Sequence, residues 1–152
     1  MPLYEMDQVG NENRVYVGNS ANHFGTKLIG SHFVTFSGCG HVKDSDRQLI
    51  MEAAKNEEDI HLLQSEIQIT VGPKWRNIHQ CSPLIAPNQY INTDADEDDA
   101  QGWNIFPCTW ETVESEGAKR IRLKFSMGQR GQKTLFFGIG YQATATGDLW
   151  PQ

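Results

Sequence analysis

The sequence predicts a mainly β fold, an antiparallel β-sandwich or jelly roll with one short helix. Two segments carry this prediction, because apolar and polar residues alternate in them with the period of a half-buried strand. They are SEIQITVG (65–72) and AKRIRLKFSM (118–127). Strand-like segments separated by turn formers, without the strand–helix–strand rhythm of a parallel sheet, favour antiparallel pairing.

Shorter patterns predict the remaining strands. RVYV (14–17) alternates, and KLIGSHFVTFSGCG (27–40) is rich in β-branched and aromatic residues. GWNIFPCTWETV (102–113) is typical of a strand pair or one bent strand. GQRG (128–131) predicts a hairpin loop, after which QKTLFFGIGYQATAT (132–146) returns as the partner of the preceding strand.

One helix of at most about three turns is predicted over residues 45–55. Ser45 and Gln48 have the spacing of a capping box, and apolar residues follow at helical spacing. Three prolines further along predict a long irregular connection that continues into an acidic stretch: Pro73, Pro83 and Pro87. The stretch before Arg14 and the tail at 147–152 are short, and we expect them to be available for docking on neighbouring molecules.

Length and charge restrict the class of protein. A chain of 152 residues predicts one β domain over 1–152. The net charge is −6, and the acidic stretch DADEDD (94–99) carries five negative charges, so the rest of the chain is close to neutral. Binding to nucleic acid or to an anionic membrane surface is therefore not expected, because both need an excess of Lys and Arg.

The sequence also bears on where the protein is made. The start MPLYEMDQVG lacks the basic and apolar regions of a signal peptide, and three widely spaced cysteines do not resemble a disulfide framework. No apolar run approaches the roughly 20 residues that span a bilayer. We therefore expect synthesis in the cytoplasm and no membrane span. Release as part of a particle is compatible with this expectation.

The acidic stretch is a candidate calcium site. Flexible carboxylates are the hard oxygen ligands that Ca²⁺ takes, and they repel each other until a cation arrives. The stretch does not match an EF-hand loop, because Asp99 and Ile105 stand where that loop needs glycine and glutamate. A solvated loop tip and contact with a basic partner surface are the alternatives. The candidate metal ligands are Asp94, Asp96, Asp98 and Asp99.

A row of cations is a candidate interface. Arg120, Arg122 and Lys124 share one face of the predicted strand, because side chains alternate with period two. They can meet carboxylates on neighbouring strands of the same sheet, or the 94–99 stretch of a neighbouring copy. The second arrangement builds a symmetric homo-oligomer, and salt weakens it.

Two further groups of residues are candidate ligands. Cys39 with His41 and His79 with Cys81 would form a tetrahedral zinc site if the pairs met, although buried cysteines commonly act as plain apolar residues. Asn92, Trp103 and Asn104 have the composition of a sugar-binding site, and burial of the tryptophan in the core is the alternative.

No motif for nucleophilic, metal-dependent or phosphate-transfer catalysis occurs in the sequence. We therefore expect a non-enzymatic structural or assembly module that works as a symmetric homo-oligomer, for example in a virus or phage particle. The alternative is a carbohydrate-binding lectin that uses Trp103 and the nearby carboxylates, with calcium as a possible cofactor. A metalloenzyme built on the two Cys/His pairs is the third hypothesis.

Overall fold

The mainly β fold class is confirmed in a computed structural model of the chain. The model describes residues 3–19, 32–46, 62–92, 102–105, 108–130 and 134–151. Seven strands lie within these ranges: β1 (Leu3–Asn19), β2 (His32–Val42), β3 (Leu62–Asn92), β4 (Gly102–Ile105), β5 (Thr109–Ser115), β6 (Ala118–Arg130) and β7 (Thr134–Leu149). All seven belong to one hydrogen-bonded sheet. The assignment of one domain to 1–152 stays a prediction, because several segments lie outside the described residues.

Four strands form a closed circuit, so the sheet is not clearly a two-layer sandwich. Strand β1 pairs with β2, β2 with β7 and β7 with β3, all antiparallel. The circuit closes where residues 3–5 of β1 run parallel to residues 66–68 of β3. Strand β6 lies on the other side of β3, and both β4 and β5 pair with β6. The predicted antiparallel pairing therefore holds for every pair except β1 with β3.

The long strand β3 bends and changes partner. Its residues 62–71 pair with β6, and its residues 75–92 pair with β7. Gly72 lies at the bend with φ of +80°, a backbone conformation that L side chains rarely adopt. One continuous strand, β3, thereby pairs with β6 before the bend and mainly with β7 after it.

The prediction of a long irregular connection after Pro73 is wrong. Pro83 and Pro87 lie within β3, opposite Ala143 and Ile139 of β7. Beyond Trp75, which also pairs with Lys119 of β6, β7 is the only partner strand of β3 among the described residues, so β3 has an open edge there. A proline lacks the N–H donor, and an edge strand tolerates that loss because the missing donor can face away from the partner.

The predicted hairpin between the 118–127 strand and the 132–146 strand is also wrong. Strands β6 and β7 are not neighbours in the described sheet, because β3 lies between them. The end of β6 faces the start of β3 at Arg130 and Leu62, while the start of β7 faces the end of β3 at Thr134 and Asn92. Strands β6 and β7 follow each other in the sequence, and this adjacency suggested a hairpin. Because β3 bends, its first half pairs with β6 and its second half pairs with β7.

The core follows the predicted alternation. The inward residues of β6 are all buried, which confirms the prediction for that strand: Ile121, Leu123, Phe125 and Met127. They pack against inward residues of β2, β3 and β7: Val34, Phe36, Ile67, Ile69, Val71, Trp75, Ile139 and Tyr141. Each large apolar side chain contributes roughly 1.5–3 kcal/mol when it leaves water. This shared core positions the polar groups described below.

The structure describes most of the two chain ends, which the sequence predicts to be available for docking, and the start of the predicted helix. Strand β1 already begins at Leu3, and before Arg14 its residues 3–5 pair with β3 while residues 6–9 and 13 pair with β2, so this stretch is part of the sheet. In the tail, the Trp150 main-chain N–H donates to the Lys74 carbonyl at 3.1 Å. Residues 44–46 are helical, and the rest of the predicted helix at 45–55 lies outside the described residues. Among the described residues, no helix has the length and apolarity needed to cross a membrane.

Candidate functional site

A bulge in β1 turns a carboxylate into the protein. The β1–β2 register shifts between Val9 and Asn13, and Gly10 within the shift has φ of +71°. Bulges of this kind re-aim a side chain relative to the regular pleat. The side chain of Glu12 is only 2% exposed as a result. A buried carboxylate is costly unless several donors meet it, so its surroundings are a candidate site.

Three donors meet the Glu12 carboxylate. Arg14 Nε donates to Oε1 at 2.8 Å, and the Gly72 main-chain N–H donates to Oε2 at 2.9 Å. The Tyr141 hydroxyl donates to Oε2 at 2.5 Å. These donors come from β1, β3 and β7, so one carboxylate connects three strands of the closed circuit.

The bend of β3 is held from its other side by two arginines. The Gly72 carbonyl accepts from Arg14 at 3.0 Å and from Arg120 of β6 at 2.9 Å. We call these five residues the Glu12 cluster: Glu12, Arg14, Gly72, Arg120 and Tyr141. Both the N–H and the carbonyl of Gly72 are bound within the cluster. It therefore fixes the bend at which β3 leaves β6 and joins β7.

The cluster changes the ionisation of its members. Burial, and then the hydrogen bond and the charge of Glu12, raise the pKa of Tyr141 far above its usual value. Burial alone would lower the pKa of Arg14, but the hydrogen bonds and charges of Glu12 and, to a smaller extent, Tyr16 together outweigh it, and the net shift is upward. Burial lowers the pKa of Arg120, and the charge of Glu12 opposes that change.

A close approach to a glycine allows Tyr141 to reach Glu12. Gly38 of β2 is the cross-strand partner of Tyr141. A Cβ atom added at Gly38 would lie 2.6 Å from the Tyr141 hydroxyl oxygen. The tyrosine therefore occupies space that only glycine leaves open. This explains one of the glycines in the SGCG segment of the sequence.

A cationic cleft opens beside the Glu12 cluster. Its volume is about 480 Å³, and three cations from three strands line it: Arg14, Lys74 and Arg120. Gly72, Trp150 and Pro151 complete the lining, so the tail forms one wall. Lys74 lies 3.9 Å from Glu116, at the limit of an ion pair. Basic side chains thus collect at one place on a protein whose net charge is negative.

The predicted cationic row divides between two surroundings. Arg120 belongs to the Glu12 cluster, as described above. Arg122 Nη1 lies 3.3 Å from Glu111 Oε1 on β5, and Lys124 Nζ lies 3.7 Å from Glu66 Oε1 on β3. These contacts are the same-sheet alternative predicted from the sequence. Contact of the row with the 94–99 stretch of another copy stays a prediction.

The two Cys/His pairs are not brought together. Cys39 on β2 lies opposite Gly140 of β7, whereas Cys81 on β3 lies opposite Ala145 of the same strand. Five residues of β7 correspond to roughly 17 Å along the strand. In the described ranges, no group of three or more His, Cys, Asp or Glu side chains is arranged to hold a metal ion. Burial raises the pKa of the Cys81 thiol to about 12, with a smaller contribution from Cys108.

The candidate sugar-binding and calcium-binding residues lie mainly in parts of the chain that the structure does not describe or describes only in the backbone. Asn92 ends β3, and Trp103 and Asn104 belong to β4. Register places Asn92 opposite Thr134 of β7 and Trp103 opposite Gln129 of β6. The structure does not describe their side chains. The metal candidates Asp94, Asp96, Asp98 and Asp99 lie outside the described residues, so both sites stay predictions.

The outer part of β1 is an open strand edge. Beyond Glu5, β1 pairs only with β2 among the described strands. Val15, Tyr16 and Val17 follow the Glu12 cluster and are between 43% and 51% exposed. Val15 and Val17 share one face, and Tyr16 lies on the other. Both faces of this edge therefore present apolar side chains to solvent.

Comparisons with known proteins do not assign the chain to a family. The chain matches no family model, no curated protein and no solved structure. Two features of the described residues bear on the function. These are the open edge of β1 and the cationic cleft beside the Glu12 cluster.

Most residues of this candidate site carry no local signal in the sequence. Arg120 belongs to the row of cations predicted from the sequence. The other four side chains share no sequence pattern: Glu12, Arg14, Lys74 and Tyr141. Gly10 within VGNENR is the available local signal, because a glycine inside a strand pattern indicates a bulge. A bulge does not by itself show which side chain turns inward or what that side chain meets.

Proposed function

We propose that this chain is a non-enzymatic structural module that assembles as a symmetric homo-oligomer through the open edge of β1. The observation that supports the proposal is the exposure of Val15, Tyr16 and Val17 on the part of β1 that pairs only with β2 among the described strands. Assemblies of many copies, such as virus or phage particles, would use contacts of this kind. The particle role itself is part of the proposal.

An open strand edge recruits another strand, because its unpaired main-chain N–H and carbonyl groups form a template. A second copy of β1 is the occupant that fits a symmetric oligomer. Two β1 edges that pair antiparallel about a two-fold axis use the same surface on both copies, so the contact closes. The sheet would then continue from one copy into the other.

The side chains of the edge favour the same partner. Val15 lies beside Thr35 of β2, and Val17 lies beside Phe33, on the outer face of the sheet. Soluble proteins usually protect an open edge with charges, especially lysine, or with proline. The 15–17 segment contains neither. Pairing with a second copy would bury these apolar side chains against their own counterparts.

The charged surfaces support the proposal less strongly than the apolar edge. Arg122 and Lys124 already form ion pairs with Glu111 and Glu66 of the same chain. Contact between this row and the 94–99 stretch of another copy would therefore orient the copies more than hold them together. High salt separates the two contributions, because it screens exposed charges and leaves apolar burial intact.

The test is the molar mass of the protein by size-exclusion chromatography with light scattering across a concentration series. We expect the wild-type protein to form a defined oligomer, and the double variant Val15→Lys/Val17→Lys to be a folded monomer. Leu84→Lys is the matched control, because Leu84 is an exposed apolar residue on a different strand. Circular dichroism shows that each variant is folded.

A wild-type protein that stays monomeric at every concentration would overturn the proposal. So would an oligomer that the double variant leaves unchanged. Repeating the wild-type measurement in high salt and with calcium tests the predictions for the 94–99 stretch, because an oligomer held by the apolar edge needs neither low salt nor a cation.

A further inference from the structure

The cationic cleft brings together three positive side chains from separate strands. Arg14 comes from β1, Lys74 from β3 beyond the bend, and Arg120 from β6. Like charges at one place repel each other, so the fold must hold them there. The hydrogen bonds of Arg14 and Arg120 to Gly72 supply that hold. The arrangement is therefore preorganised, and assembly through β1 does not require it.

The cations outnumber the acids that are bound to them inside the protein. The buried Glu12 carboxylate pairs with Arg14 at 2.8 Å. Lys74 has a loose contact with the exposed Glu116 at 3.9 Å. No carboxylate of the described residues forms an ion pair with Arg120, whose guanidinium bonds the neutral Gly72 carbonyl. The cleft therefore keeps an excess of positive charge.

Hydrogen-bond donors are also in excess. A guanidinium offers five N–H donors in a planar fork. Arg14 donates through Nε and Nη2 and also forms a side-chain hydrogen bond with Tyr16, and Arg120 donates through Nη2. The remaining donors match the paired oxygen atoms of a carboxylate, sulfate or phosphate group. Such a group would replace the water that otherwise solvates them.

The wall formed by the tail supplies a flat surface. Trp150 is 36% exposed and lines the cleft next to Pro151. Its main-chain N–H donates to the Lys74 carbonyl, which places residue 150 beside one of the cations. Tryptophan packs well against flat rings and against the apolar faces of sugars. A volume of about 480 Å³ suits a small molecule.

We propose that this cleft binds a small ligand that carries an oxyanion next to a ring. The oxyanion is held by Arg14, Lys74 and Arg120, and the ring packs on Trp150. This binding activity goes beyond the assembly role and does not depend on it, since the cleft lies within one copy of the chain.

The test is isothermal titration calorimetry of the wild-type protein with four probes. Phenyl phosphate and benzoate carry both features, inorganic phosphate carries only the charge, and benzyl alcohol carries only the ring. We expect phenyl phosphate to bind about tenfold more tightly than inorganic phosphate, since a ring contact of about 1.4 kcal/mol corresponds to that ratio. Benzyl alcohol should not bind measurably. Comparison of benzoate with phenyl phosphate distinguishes a carboxylate from a phosphate ligand.

Two variants test the assignment to this cleft. Lys74→Met should weaken phenyl phosphate binding about fivefold to tenfold, and Trp150→Leu should remove the preference for phenyl phosphate over inorganic phosphate. Lys43→Met is the matched control. Lys43 is 44% exposed and lies 3.9 Å from Glu5, whereas Lys74 is 51% exposed and lies 3.9 Å from Glu116. Arg14 and Arg120 are left intact because they hold the bend of β3.

Three results would overturn the proposal. The first is that no anionic probe binds at millimolar concentration. The second is that Lys43→Met weakens binding as much as Lys74→Met, which would indicate attraction by surface charge in general. The third is that inorganic phosphate binds as tightly as phenyl phosphate to the wild-type protein, which would remove the ring from the assignment.

Discussion

Strand β6 carries three cations in one alternating row, and the two ends of that row lie in different surroundings. Arg120 lies inside the Glu12 cluster, where it donates to the carbonyl of Gly72. Arg122 and Lys124 face Glu111 and Glu66 across partly exposed sheet surface. Identical spacing in the sequence therefore gives two kinds of electrostatic contact. The difference comes from β1 and the bend of β3, which cover only the Arg120 end.

The surroundings determine what each contact contributes to stability. An exposed ion pair contributes about 0–1 kcal/mol, because water screens the charges and ordering two long side chains costs entropy. A buried carboxylate has lost its water, so it depends on the donors that the protein provides. The Glu12 cluster should therefore be a sensitive point of the fold, whereas the pairs at the other end should be replaceable.

The largest expected effect is that of Glu12→Gln. The amide keeps the shape of the carboxylate but removes its charge, and it brings N–H donors towards groups that are themselves donors. We expect the free energy of unfolding to fall by about 3 kcal/mol, since Arg14 loses its partner in a partly buried position. Urea unfolding followed by circular dichroism measures this change.

Glu111→Gln is the matched control at the exposed end of the row. The same chemical change there should lower the free energy of unfolding by less than about 1 kcal/mol. Equal losses in the two variants would show that the Glu12 cluster is no more than another surface pair. A larger loss for Glu111→Gln would reverse the comparison.

The two regions also differ in how far the sequence predicts them. The buried row Ile121, Leu123, Phe125 and Met127 was predicted because alternation is a local signal, and the opposite face followed from it. The Glu12 cluster joins residues that are distant in the chain: Arg14 and Gly72 are separated by 58 positions, and Glu12 and Tyr141 by 129. No local period reports such contacts. They depend on strand order. That order was not predicted, because the prolines of β3 indicated a loop and the 128–131 segment indicated a hairpin between β6 and β7.

An intermediate effect is expected for Tyr141→Phe, and it should depend on pH. At neutral pH the variant loses one hydrogen bond to a charged group, which costs about 1.5–3 kcal/mol. The pKa of Tyr141 is raised by burial and by Glu12, so the folded protein keeps a proton that the unfolded chain releases near pH 10. The stabilisation is therefore fully present below about pH 10 and is lost as the pH rises further.

Urea unfolding of both proteins between pH 8 and pH 11 measures this dependence. The stability difference between wild type and Tyr141→Phe should narrow above about pH 10. Cys81 also destabilises the folded state at alkaline pH, because its pKa is raised to about 12, mainly by burial. That contribution is common to both proteins and cancels in the difference. A difference that stays constant up to pH 11 would contradict the role assigned to Tyr141.

The smallest expected effect compares two glycines that flank the same contact. A Cβ at Gly38 would lie 2.6 Å from the Tyr141 hydroxyl oxygen and 2.9 Å from Cζ, whereas a Cβ at Gly140 would meet nothing within 4 Å. Gly38→Ala should therefore lower the free energy of unfolding by about 1–2 kcal/mol, because the tyrosine must move away from Glu12. Gly140→Ala should change it by no more than about 0.5 kcal/mol, since the new methyl group has room and alanine restricts the unfolded chain.

Urea unfolding of the two alanine variants measures this comparison. A double variant then tests whether the effect of Gly38→Ala acts through the contact between Tyr141 and Glu12. In the Glu12→Gln background the bond that Gly38→Ala disturbs is already weakened, so the cost of the alanine should fall there. Costs that simply add would mean that Gly38→Ala acts through local crowding alone. A smaller cost in the double variant would show that the space left by Gly38 serves the contact between Tyr141 and Glu12.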